Sequence, residues 1–103
     1  MTDEYRQLTA YESVKGNLTQ KQAVAFNMFV LSGMGAKLRK NAHKGGWEQD
    51  DIRSLVMRLY EEIGELVKAI NDNESWSTIL DESADVANFA MMIQDRYRIM
   101  QGE

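Results

Sequence analysis

Residues 49–70 read QDDIRSLVMRLYEEIGELVKAI, and the fold follows from the spacing of their apolar positions. On a wheel of about 100° per residue, Ile52, Leu55, Leu59, Ile63, Leu66 and Ile70 share one arc, the period of an amphipathic helix. Asp50 and Asp51 stand where the positive end of such a helix favours anions. Glu62 lies at the edge of the arc and Glu65 about 60° further round. Glu62 is therefore expected to be a half-buried acid, a position disfavoured for a carboxylate unless it is paired or metal-bound.

Downstream, the polar stretch Asn71-Asp72-Asn73-Glu74 breaks the pattern. A third helix is predicted from near Ser75 to about Met100, with Ile79, Val86, Phe89, Ala90, Ile93 and Tyr97 as its apolar stripe. Glu82 falls inside that stripe and Asp85 beside Phe89 and Arg96. So short a connection makes the two helices antiparallel neighbours, which predicts that Glu62, Glu65, Glu82 and Asp85 converge. Like charges three residues apart on a helix repel by a few tenths of a kcal/mol, and this chain accepts that cost twice.

Upstream, Thr19 caps a first helix, with Gln22 completing a capping box and Phe26, Phe29, Val30, Met34 and Leu38 at three- and four-residue steps. Gly33 and Gly35 weaken that helix slightly. Residues 1–18, with Tyr5, Leu8, Tyr11 and Val14, are expected to form an N-terminal arm or short helix. The expected fold is all-α: an antiparallel bundle of three to four helices over residues 19–103, completed by oligomerisation because a chain this small has a modest core.

The chain has 103 residues, no cysteine, no proline and a net charge of -4. One domain is the upper bound. The missing cysteines exclude disulfides, thiolate zinc sites and a cysteine nucleophile. No run reaches the roughly 20 apolar residues of a membrane span, and the start lacks a basic signal-peptide region, so a cytoplasmic protein is expected. The acidic balance argues against non-specific nucleic-acid binding, which rests on many contacts from basic residues to phosphate. Charge is segregated, however. Lys37, Arg39, Lys40, His43 and Lys44 cluster mid-chain, and the acids follow between Glu48 and Asp85.

Oxygen-only ligands favour a hard ion, Mg²⁺ or Mn²⁺, over zinc. A di-iron bundle would need Glu-x-x-His motifs, and the single histidine, His43, has no glutamate three residues before it. The basic cluster reads first as cations suited to a helix C-terminus and only second as a phosphate contact. Trp47, next to Gly45-Gly46, reads as a core anchor or as a stacking platform for a base.

Taken in order, Lys37-Leu38-x-x-Asn41-x-His43-Lys44-Gly45-Gly46-Trp47, then Leu59-x-Glu61-Glu62-x-x-Glu65-Leu66, then Asp81-Glu82-x-Ala84-Asp85-Val86-Ala87-Asn88-Phe89 resemble the MazG-like all-α nucleoside triphosphate pyrophosphohydrolases in their short, single-domain form. The resemblance covers about residues 34–95. It implies Mg²⁺-dependent cleavage of a (deoxy)nucleoside triphosphate to the monophosphate and pyrophosphate by a homodimer or homotetramer. Carried over by position, Glu62, Glu65, Glu82 and Asp85 are the metal ligands. Glu61 is a ligand, an outer group or the base that activates water. Lys44 and Lys40 meet phosphate, while Trp47 and Asn88 line the nucleotide pocket. Gly64 departs from some members, at about 1 kcal/mol of helix propensity relative to alanine.

Two other readings stand beside this one. The acids could form an electrostatic surface on a non-catalytic helical interaction module, or the enzyme could hydrolyse a related phosphoanhydride.

Overall fold

The computed structural model describes residues 16–102, and those residues fold into three helical rods with no strand among them. The first rod is composite. Helix α1 (Gln20–Met28) runs into a π-helical segment (Phe29–Gly35) and then into α2 (Ala36–Lys40). A single 3₁₀ turn (Ala42–Lys44) follows. The second rod is α3 (Ile52–Asn71) and the third α4 (Trp76–Met100). All but the last three residues of the arm expected over residues 1–18 lie outside the described residues.

Each rod starts at a side-chain cap. Thr19 accepts from the Gln22 N–H while the Gln22 side chain accepts from Thr19, closing the expected box. Asp51 caps α3 through the Arg53 N–H, so that helix begins at Ile52 and not at Gln49. Ser75 caps α4 through the Thr78 N–H. Between α3 and α4, Asn73 takes a left-handed conformation with φ 54°. Its N–H bonds to the Ile70 carbonyl and that of Glu74 to the Ala69 carbonyl. This is a Schellman ending in which asparagine fills the position that usually falls to glycine.

The α3–α4 hairpin is antiparallel, as expected: Arg58 lies over Phe89, 4.9 Å from the ring centre, and Glu62 meets Asp85 a turn further on. The apolar arc of α3 divides in two, however. Ile52, Leu55, Leu59, Glu62, Leu66 and Ala69 turn inward, while Tyr60, Ile63, Val67 and Ile70 form an exposed stripe one residue over. Ile63 and Ile70, expected in the core, belong to that outer stripe, and Ala90 and Tyr97 of α4 are likewise exposed. The cause is the width of the apolar face: it exceeds what one neighbouring helix covers.

Helix α4 is the centre of the molecule, packed by α3 and by the composite rod. Gly33 makes the second contact possible. A Cβ there would sit 3.1 Å from Leu80 Cδ1 and 3.6 Å from the Ala84 Cβ, so the rod lies against the fully buried Ala84 with no side chain between. The core within one chain is small: Ala23, Leu55, Ala69 and Ala84 are its buried apolar residues, and no large side chain is wholly enclosed among the described residues. No helix among them is long and apolar enough to cross a membrane.

Candidate metal centre and cleft

The hairpin brings Glu62, Glu82 and Asp85 together, with one carboxylate oxygen of each within 4.8 Å of the others. All three are half-buried. Their crowding shows in proton affinity. Burial, then the charges of Asp85 and Glu82, raise the pKa of Glu62 above the ordinary glutamate value. Burial, then Asp85 and Glu65, raise that of Glu82. Taking a carboxylate partly out of water and facing it with others both disfavour its charged form.

The expected convergence of four acids is thus a convergence of three. Glu65 is exposed and lies with Glu82, Lys68 and Asp72 at a separate hollow of about 150 Å³. It is one turn from Glu62, but its side chain leaves the inward face. Glu61 is exposed, paired with Arg58 at 3.6 Å, and stands outside the trio.

Beside the trio opens a cleft of about 1040 Å³, walled by α2, the loop after it, α3 and α4. Glu62 and Asp85 reach it, as do Lys40, Lys44, Trp47 and Asn88. The basic segment and the acids, distant in sequence, therefore share one cavity, at the upper end of the range for small-molecule sites.

Trp47 is positioned by its indole N–H, which donates to Asp95 Oδ2 at 2.9 Å. Arg96 Nε donates to the Asp50 carbonyl at 2.8 Å, so two bonds clip the loop to α4. Hydrogen bonds from Arg98 and Trp47 hold the Asp95 carboxyl below the usual aspartate range. Gly45, at φ 90°, lets the chain leave the 3₁₀ turn in a conformation that a side chain would strain.

Asn88 is 4% exposed. Its amide donates to the Met34 carbonyl at 3.1 Å, in the π segment, where the regular helical ladder is broken. Its Oδ1 is buried without a partner.

Two basic cleft residues, Lys37 and Arg58, were not among the site residues expected from sequence. Lys37 Nζ lies 3.4 Å from Asp85 Oδ2, and Arg58 spans the wall above Phe89. Lys37 carried a signal, since it opens the basic segment three residues before Lys40. Arg58 sits four residues before Glu62, on the same face of α3.

No family model matches the chain, and no solved structure matches it significantly. A protein of Archaeoglobus fulgidus, described as an uncharacterized protein, is 37% identical over 68 residues, covering 61% of this chain and 72% of that protein. The chain belongs to one family with that archaeal protein.

Proposed function

We propose that this protein is a Mg²⁺-dependent nucleotide pyrophosphohydrolase of the MazG-like kind, converting a (deoxy)nucleoside triphosphate to the monophosphate and pyrophosphate. One observation carries the reading: three carboxylates within 4.8 Å of one another adjoin a cleft whose other wall bears lysines and a tryptophan. Each half alone is common, but a nucleoside triphosphate with its divalent cation needs both.

The donor set fits the ion. Octahedral Mg²⁺ takes oxygens at about 2.1 Å, which puts neighbouring donors roughly 3 Å apart and opposite ones roughly 4 Å apart, so the trio needs only a small closure. Glu62, Glu82 and Asp85 would hold it, and Mn²⁺ suits the same oxygens. Glu65 joins only after a side-chain rotation. Bound there, the ion supplies charge neutralisation between acidic protein and anionic substrate and makes water a better nucleophile.

The chain does the rest. Lys40 and Lys44 meet phosphate oxygens. Trp47, fixed by Asp95, offers its face to the base. Glu62 faces both trio and cleft, so it is better placed than Glu61 to accept a proton from the attacking water. A second copy of the chain covers the stripe Tyr60, Ile63, Val67 and Ile70, giving a homodimer or homotetramer that works in the cytoplasm.

The test is a panel of common and modified nucleoside triphosphates with Mg²⁺, read for pyrophosphate and orthophosphate separately. Pyrophosphate release supports the reading. Orthophosphate alone contradicts cleavage between the α and β phosphates, and no release from any member contradicts the enzyme.

A further inference from the structure

Two cations already bear on the acidic trio, Arg58 on Glu62 and Lys37 on Asp85 and Glu82. Lys37 Nζ lies 3.4 Å from Asp85 Oδ2, and the two side chains are only 18% and 22% exposed. The pair is well shielded but loose: Lys68 and Asp72, out in solvent, close to 2.8 Å. The charge of Lys37 also bears on Glu82, where it opposes the raised proton affinity. Lys37 is thus the counter-ion of Asp85 and Glu82, reaching them from α2, while Glu62 has the charge of Arg58 on its own helix.

Its partner carboxylate is one that a divalent cation would need. An ammonium and a doubly charged ion compete for the same oxygens, and the compact ion brings twice the charge. The lysine has somewhere to go. Its flexible four-carbon stem lets the ammonium swing by several ångströms with the backbone still, and Lys37 lines the cleft. The backbone beneath it is held, because Asn88 grips the Met34 carbonyl one turn earlier. Lys40 and Lys44 differ, being exposed and without an ion-pair partner among the described residues.

We propose that Lys37 is a displaceable counter-ion: its ammonium holds Asp85 while the trio lacks a metal, yields that carboxylate to an incoming divalent cation, and then takes a phosphate oxygen of the anionic ligand. The proposal rests on the metal-site reading above. Metal and phosphate binding are thereby coupled, since the ion that anchors the phosphate also frees the lysine that grips it.

The experiment is calorimetric titration of wild type, Lys37→Met and Lys37→Arg with Mn²⁺ alone, then with inorganic pyrophosphate in the presence of Mn²⁺. Losing a competitor of ordinary ion-pair strength, Lys37→Met binds Mn²⁺ about two- to fivefold more tightly than wild type. It binds the pyrophosphate several-fold more weakly, and Lys37→Arg stays near wild type in both. Should Lys37→Met fail to fold, acylation of wild-type lysines read by mass spectrometry serves instead. Labelling of Lys37 rises on adding Mn²⁺ and falls again with pyrophosphate. Equal or weaker Mn²⁺ binding by Lys37→Met, or labelling indifferent to Mn²⁺, overturns the proposal and leaves the metal site standing. A wild type that takes up no Mn²⁺ removes both.

Discussion

The Trp47 indole N–H donates to Asp95 at 2.9 Å across 48 residues of chain, and this bond sets the far wall of the cleft. Asp95→Ala is expected to release the ring. In a Trp76→Phe background, which leaves one tryptophan, its emission shifts to longer wavelength and nucleotide binding weakens several-fold, while helix content holds. An unchanged spectrum would mean that the bond does not form in solution. The pH dependence has a definite sign. Asp95 has a lowered pKa in the fold, so the contribution is complete above the ordinary aspartate value and is lost as pH falls through the lower folded value. The emission should hold from neutral pH into the aspartate range and change only in stronger acid.

Glu62 and Glu82 predict the opposite trend. Both pKa values are raised in the fold, so the folded chain binds more protons than the unfolded one in the window above the ordinary glutamate value of about 4.3. Their contribution to stability is complete below that value and declines as pH rises through the folded pKa values. Melting in chelator should record that decline, and Mg²⁺ should reverse it at constant ionic strength. A decline that Mg²⁺ and a matched sodium salt reverse equally would indicate screening alone.

Glu62→Gln separates function from folding. Removing one of three mutually repelling charges relieves a few tenths of a kcal/mol, so the metal-free melting temperature rises by roughly 1–4 °C. Turnover falls at least about 100-fold, and the stabilisation by Mg²⁺ is lost. Asp85→Asn should also abolish turnover with the fold retained. Full activity in both variants would remove the metal-site hypothesis.

A Cβ at Gly64 meets nothing within 4 Å in one chain. Gly64→Ala is therefore expected to stabilise the protein by about 1 kcal/mol through helix propensity, measured by denaturant melting at fixed concentration. A loss of stability together with dissociation in a sizing experiment would instead reveal a partner surface against that glycine.

The hairpin and the Thr19–Gln22 capping box were legible because each depends on local chemistry, whereas the cap at Asp51 and the positive φ of Asn73 were not singled out, since several neighbouring polar residues could fill either position. Glu62 was legible as a half-buried acid because it falls on the inward wheel of α3. Glu65 was not separable from it, since spacing brings two acids to neighbouring positions but does not say which way the outer one turns. The π segment over Phe29–Gly35 left no mark in the apolar pattern, because widening the helix by one residue needs no change of composition. Lys37 and Asp85 are 48 positions apart, and it takes tertiary packing, Gly33 against Ala84 and Asn88 on the Met34 carbonyl, to bring them together.

The most direct measurement is anomalous diffraction from a crystal soaked in Mn²⁺. A peak coordinated by Glu62, Glu82 and Asp85, with Lys37 turned away from Asp85, is the predicted result. Density map and side chains unchanged at that position, with no peak among the three carboxylates, would contradict the account.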